Sequence, residues 1–238
     1  ASFEDLASRG NIPVVTVEDK MKNYRNEFLK MRPDVVFVSG WYYRIPKDWL
    51  AIPPLGFIGF HPSLLPKYRG SAPLNWAIIH GEKETGMSMF YLADGIDNGD
   101  IIAQERVPIG AGDTIATLYE NINQVTLAMI REWVPRIRQK TAPRILQKES
   151  DASLFPLRRP EDGVIDWSKT SEEIYDWIRA QTQPYPGAFT FYKGEKLTIW
   201  NSKILTKFKG TLPSYPCGTI RQKVEGEGLE ITTGDRSI

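Results

Sequence analysis

Two unbroken apolar runs, Val35-Val36-Phe37-Val38 and Leu55-Gly56-Phe57-Ile58-Gly59-Phe60, most restrict what this chain can fold into. Such runs, without polar alternation, read as strands covered on both faces, as in parallel sheets flanked by helices. A helix end over Leu6–Ser8 leads into a short strand at Ile12–Val15. A helix over Val17–Met31 is stopped by Arg32-Pro33-Asp34, and another spans Ala72–His80 with Trp76 and Ile79 on its apolar side. Gly86–Leu92 and Ile101–Pro108 read as further strands. Leu118, Ile122, Val125, Met129, Trp133 and Ile137 recur at helical spacing within Thr114–Lys140, a long amphipathic helix capped by Asp113 or Thr114. The expectation is an α/β domain on a parallel sheet, with ligands beyond the carboxyl ends of its strands.

From Thr141 to Asp162 the chain is rich in proline and charge, the composition of a linker. Beyond it come a short helix (Ser171–Ala180) and a rigid turn, Pro184-Tyr185-Pro186-Gly187. Short strands follow at Ala188–Tyr192, Lys196–Ile204, Gly218–Val224 and Leu229–Thr233, which suggest a small β-barrel or sandwich. The chain opens as if part-way through a helix and closes on a strand with nothing to follow, which reads as a fragment. A net charge of +1 does not suggest a polyanion partner. No apolar run has the roughly 18 residues of a membrane span, and no signal-peptide pattern opens the chain. The single cysteine, Cys217, excludes an internal disulfide framework and a Cys-based zinc cluster, and it fits a reducing cytoplasm.

Two features carry chemistry. His61 follows the second apolar run, at the ligand edge of the sheet, stiffened by Pro62 and Pro66; a core or capping histidine is the plainer reading. The other histidine, His80, reads as a solvated helix end. Asp94-Gly95-Ile96-Asp97-Asn98-Gly99-Asp100 is too acidic and glycine-rich to be core. It lacks the frame of an EF-hand, so a solvated turn is the alternative there.

Taken together, His61-Pro62-Ser63-Leu64-Leu65-Pro66-Lys67-Tyr68-Arg69-Gly70, Ala72-Pro73-Leu74-Asn75-Trp76 and Asp97-Asn98-Gly99-Asp100 resemble the folate-dependent formyltransferases. That family includes methionyl-tRNA formyltransferase, the nucleotide-sugar N-formyltransferases and the 10-formyltetrahydrofolate hydrolase domain. Asp97 follows His61 by 36 residues, the family spacing. The likeness continues through Arg159–Gly163, Ile165-Asp166-Trp167 and Pro184–Phe189, and so covers almost the whole chain. It implies a Rossmann-like catalytic domain over residues 1–145, entered after its first strand–helix–strand, a linker over 146–162 and an OB-like β-barrel over 163–238.

The resemblance also implies N10-formyltetrahydrofolate as co-substrate and no metal. Tyr43, Arg44 and Ile45 would line the pterin pocket, with Ser63, Leu64, Leu65 and Pro66 on its other side. His61 would contact the formyl group and shuttle protons, while Asp97 would orient it and accept the proton of the attacking amine. Asp100 would support the loop. Transferases of the family carry Asn two residues before the catalytic His, donating to the developing oxyanion; here Gly59 stands in that place. Loss of one such donor costs on the order of 3 kcal/mol unless water or an amide such as Asn98 substitutes. A hydrolase, which also lacks that Asn, is therefore the second reading, and an impaired folate binder a further one. The Lys67–Trp76 stretch and Lys196–Ser202 resemble the nucleotide-sugar enzymes most, so the implied acceptor is a nucleotide-linked amino sugar, ahead of tRNA. Trp133 and Trp177 read as core or as a homodimer interface.

Overall fold

The computed structural model describes residues 3–18, 21–41, 43–205, 215–226 and 228–238. Its contacts divide the chain into two compact units, residues 1–58 and 59–238. None of the described helices is long and apolar enough to cross a membrane.

The first unit contains α1 (Phe3–Arg9), α2 (Arg25–Met31), β1 (Val36–Val38), α3 (Lys47–Leu50) and the start of β2 (Phe57–His61). β1 lies beside β2. Phe28 of α2 stacks on Trp49 and Phe57 with ring centroids 4.8 and 5.8 Å apart. The helix expected over Val17–Met31 is shorter: a 3₁₀ turn at Met21–Tyr24 precedes α2, and residues 19 and 20 lie outside those described. Ile12–Val15 forms no strand. Pro13 brings no N–H to a ladder, and the segment has no strand partner among the described residues.

In the second unit the end of β2, β4 (Glu84–Tyr91) and β5 (Ile101–Pro108) lie in that order. β4 and β5 are antiparallel, from Glu84↔Pro108 to Phe90↔Ile101. This departs from a wholly parallel sheet because the loop 92–100 is too short for a crossover helix. Seven consecutive residues of β4 are buried, which explains its lack of polar alternation. α5 (Ile115–Arg138) matches its expected stripe, with Leu118, Ile122, Met129 and Ile137 buried, and Thr114 caps it by accepting from the Thr117 amide. α4 (Pro73–Ile79) buries Leu74, Ala77 and Ile78, whereas Trp76 and Ile79, expected on its apolar side, are only partly covered.

The linker is more structured than its composition suggests. β6 (Leu154–Phe155) pairs in parallel with β3 (Arg69–Gly70), and Ile145 bridges Ile101. Ser153 receives the Tyr68 amide on its hydroxyl and the Arg69 amide on its carbonyl. Further on, α6 (Ser171–Arg179) starts at a Thr170/Glu173 capping box, and its Ile174 and Ile178 pack with Ile165, Ala188 and Ile238. β7 (Ala188–Tyr192) pairs with β8 (Glu195–Ile199), and β9 (Ile220–Val224) with β10 (Gly228–Ile231), both antiparallel. Among the described residues these remain separate two-stranded ladders.

Arg158 ties α4 to α6. Its guanidinium lies over Trp76 at 4.8 Å and Trp177 at 4.6 Å, and donates to the Asp162 carbonyl and Gln181 Oε1. Trp177 is thereby engaged within the chain. Desolvation at this site lowers the pKa of Arg158. Arg158→Ala is expected to cost about 2 kcal/mol, or roughly 4–8 °C in Tm by calorimetry. Lysine should recover less than half, since a point charge cannot lie flat between two rings.

Candidate active site

His61 ends β2 and is buried, and Ser63–Pro66 turn immediately after it. That turn is pinned by polar groups beneath. The buried Ser88 hydroxyl donates to the Ser63 carbonyl at 2.6 Å and accepts from the Leu65 amide at 3.1 Å. Gln104 Nε2 donates to both Ser88 Oγ and the Leu65 carbonyl, each at 2.8 Å. Ser63 is fully buried and its own hydroxyl donates to the Lys67 carbonyl. That hydroxyl closes the turn. Leu65 is buried with Phe90 and Ile101, the partly buried Leu92 packs against them, and Leu64 and Pro66 are partly exposed.

The chain then doubles back so that Tyr68 faces His61. Tyr68 adopts the left-handed region at φ 58°, as does Asp97 at φ 47°. For residues other than glycine that conformation is costly and persists where the surroundings over-determine it. His61 Nε2 lies 2.7 Å from the Tyr68 carbonyl oxygen. A carbonyl only accepts, so Nε2 carries the hydrogen and Nδ1 is the free ring nitrogen. Nδ1 faces Asp97 Oδ2 at 3.5 Å, within ion-pair reach but longer than a good hydrogen bond. The same Oδ2 accepts from the Gly70 amide at 2.8 Å. Gly70 has φ 94°, and a Cβ there would sit 2.4 Å from the Phe155 carbonyl, so glycine suits both the turn and the β3–β6 approach.

The Tyr68 side chain points into a second polar group. Its hydroxyl donates to Glu82 Oε1 at 2.8 Å and lies 3.2 Å from His80 Nδ1. Burial, then the Glu82 hydrogen bond, hold the phenol protonated well above its ordinary range. His80 is exposed at the end of α4, as expected, and its ring also packs against Trp76 and Phe155.

In the acidic loop, Asp100 supports the backbone: its carbonyl accepts from the Tyr91 amide, and its carboxylate meets Arg144, whose guanidinium lies over Tyr91. Asn98 Oδ1 accepts from the Gly95 amide. The structure thus brings His61, Asp97 and the Ser63–Pro66 turn together in one unit. Tyr43, Arg44 and Ile45 belong to the other unit, on the segment leading to α3, with Ile45 buried and the other two at the surface. At Gly59 the space is apolar: a Cβ would fall 2.6 Å from Leu92 Cδ1 and 2.8 Å from Phe90 Cε1. Among the described residues no cluster of three or more His, Cys, Asp or Glu could hold a metal ion.

Residues missed by sequence reasoning are those acting through the backbone or from far away. The Tyr68 carbonyl and Gly70 amide sit inside the His61–Gly70 motif, yet nothing in the motif says that main-chain atoms hold His61 and Asp97. Arg69 and Gln147 brace the loop from distant positions, Arg69 holding the Gln147 amide that donates to the Asp97 and Gly99 carbonyls.

Comparison with known proteins gives a consistent result. A family model described as formyl transferase matches residues 10–134, and one described as formyl transferase, C-terminal domain, matches residues 158–238. An N-formyltransferase from Helicobacter canadensis, solved with folinic acid and dTDP-3-aminofucose, is similar in fold (TM-score 0.72). The likeness covers 99% of this chain and 80% of that one at 22% identity. Methionyl-tRNA formyltransferase from Clostridium thermocellum aligns with TM-score 0.67 at 23% identity, over 86% and 88% of the two chains. HypX from Aquifex aeolicus, solved with tetrahydrofolic acid, aligns with TM-score 0.74 at 20% identity; 98% of this chain is covered but 39% of that one.

Proposed function

This chain belongs to the formyl transferase family, which uses N10-formyltetrahydrofolate, and on that premise we propose that it passes the formyl group to the amine of a nucleotide-linked amino sugar. The observation that carries this reading is the His61–Asp97 pair, with Nε2–H held on the Tyr68 carbonyl and Nδ1 turned to the carboxylate. A new C–N bond forms as the amine nitrogen attacks the formyl carbon, and the bond from that carbon to N10 breaks. The amine must lose a proton and N10 must gain one. Asp97 accepts the amine proton and His61 relays protons through Nδ1, its charged form steadied by the carboxylate. Backbone groups set both orientations, so neither side chain has to reorganise as charge develops. The sugar acceptor is supported by the fold shared with the Helicobacter enzyme and by a net charge of +1, which gives no excess of basic charge for tRNA.

Gly59 favours a second reading, hydrolysis of the formyl donor. The place of the family Asn faces Leu92 and Phe90 and offers no amide. Tetrahydrofolate release from 10-formyltetrahydrofolate, with and without a panel of amino-sugar nucleotides, separates the two. Release that needs one of the amines supports transfer; release without any amine supports hydrolysis, and none in either arm sinks both. Gly59→Asn is expected to lower stability by about 1–3 kcal/mol through overpacking, without raising transfer. A tenfold gain in turnover would show that the apolar wall yields and that the amide alone was missing.

A further inference from the structure

We propose that Gln147, in the segment whose composition reads as a linker, is a positioning residue for Asp97. The inference rests on the reading of His61 and Asp97 as the proton-handling pair.

Asp97 lies in an irregular loop, at a left-handed φ, with no helix or strand of its own to hold it. Two groups fix it from outside. The Gly70 amide binds the carboxylate. Gln147 Nε2 holds the main chain, donating to the Asp97 carbonyl at 2.7 Å and the Gly99 carbonyl at 2.8 Å. One amide nitrogen thus spans the residues on both sides of Asn98 and closes the loop across its mouth.

The orientation of that amide is determined by what faces it. On one side are two carbonyl oxygens, which only accept. On the other is Arg69, which only donates, through Nε at 3.1 Å and Nη2 at 2.8 Å to Gln147 Oε1. A flipped amide would set donors against the guanidinium and an acceptor against both carbonyls. Arg69 itself is buried and anchored by two hydrogen bonds to Glu149, at 2.9 and 2.6 Å. The strand bearing Arg69 also bears Gly70. The same two residues therefore aim the Gln147 amide and bind the Asp97 carboxylate, and β3 and its cross-chain partners set both ends of the acidic side chain. Among isosteric replacements, glutamate keeps the acceptor for Arg69 and abolishes the donor to the loop.

The test uses the full chain, assayed by tetrahydrofolate release with the acceptor that supports it, or without one if none is needed. Gln147→Glu is expected to lower kcat on the order of 10²-fold, the scale of an ångström-sized misplacement. KM for the formyl donor should stay near the parent value, Tm should fall by roughly 4–8 °C as two hydrogen bonds to the loop are lost, and hydrogen exchange at the Gly70 amide should speed up as its partner is freed. In an Asp97→Asn background the further loss should vanish, because Gln147 acts through Asp97. Gln147→Asn, one methylene too short to span both carbonyls, should move kcat and exchange the same way and serves if the glutamate variant does not fold. A parental kcat in both variants, or a loss that carries over undiminished onto Asp97→Asn, overturns the proposal. If Asp97→Asn is itself fully active, the pair is misassigned and the role of Gln147 falls with it; if Asp97→Asn is inactive while Gln147→Glu is unimpaired, only the role of Gln147 falls.

Discussion

His61→Ala is expected to lower kcat/KM for formyl transfer by roughly 10²–10⁴ while leaving the chain folded, and Asp97→Ala to do the same. As the proposed proton-handling unit the two side chains act together, so the double variant should be little worse than either single one. Loss of the hydrogen bond from His61 to the Tyr68 carbonyl costs about 1 kcal/mol, a change that calorimetry resolves from unfolding. His61→Gln separates the roles further: a side-chain amide can donate to that carbonyl but has no basic nitrogen, so structure should survive and turnover should not. Near-parental rates in His61→Ala or Asp97→Ala would remove the pair from the mechanism.

Gly99→Ala should be the most damaging change outside that pair. A Cβ on Gly99 would lie 1.7 Å from the carbonyl oxygen of Tyr91 and 2.9 Å from its carbon, both backbone atoms of the buried strand β4. No rotamer relieves such a clash, so the loop must lift away from the strand. Three contacts sit on that segment: the Gly99 carbonyl with Gln147, the Asp97 carbonyl with the same amide, and the Asp100 carbonyl with the Tyr91 amide. Overpacking of this severity is expected to cost about 3 kcal/mol or more, a fall in Tm of roughly 6–12 °C for a chain of this size. Turnover should fall on the order of 10²-fold as Asp97 leaves its place. A soluble Gly99→Ala protein with parental Tm and kcat would mean that the loop has another resting position.

Local signals were legible where local physics decides the outcome. The long helix α5 was written in the spacing of Leu118, Ile122, Met129 and Ile137 and in the cap at Thr114, because amphipathic periodicity and capping act within a few residues. His61 at a strand end and the acidic loop could each be picked out locally, but a core histidine and a solvated turn stayed open there; the pairing of His61 with Asp97 came from the resemblance of their motifs to the formyltransferases. What escaped depends on partners far along the chain. β6 is two residues long, and its pairing with β3 is made by backbone groups that no side-chain pattern marks. Gln147 stands in a charged stretch where nothing distinguishes it from its neighbours until the loop folds onto it. The absence of an amide at Gly59 could be read from the motif. That Leu92 and Phe90 face the position could not, since this depends on how neighbouring strands are set side by side.

The β3–β6 pairing sets when, during synthesis, the turn facing His61 can form. Tyr68 and Ser153 are 85 residues apart in sequence, yet the hydrogen bond between them fixes the turn that presents a carbonyl to His61. At roughly 5–20 residues per second, the ribosome needs about 4–17 s after Tyr68 to supply Ser153. Asp97 is made 29 residues after Tyr68, so over the last 56 residues of that interval both members of the pair exist in the nascent polypeptide while the strap that orders them does not. On the proposed reading, a half-made chain is expected to turn over no formyl donor, and competence to arrive late, together with the strand that locks the turn.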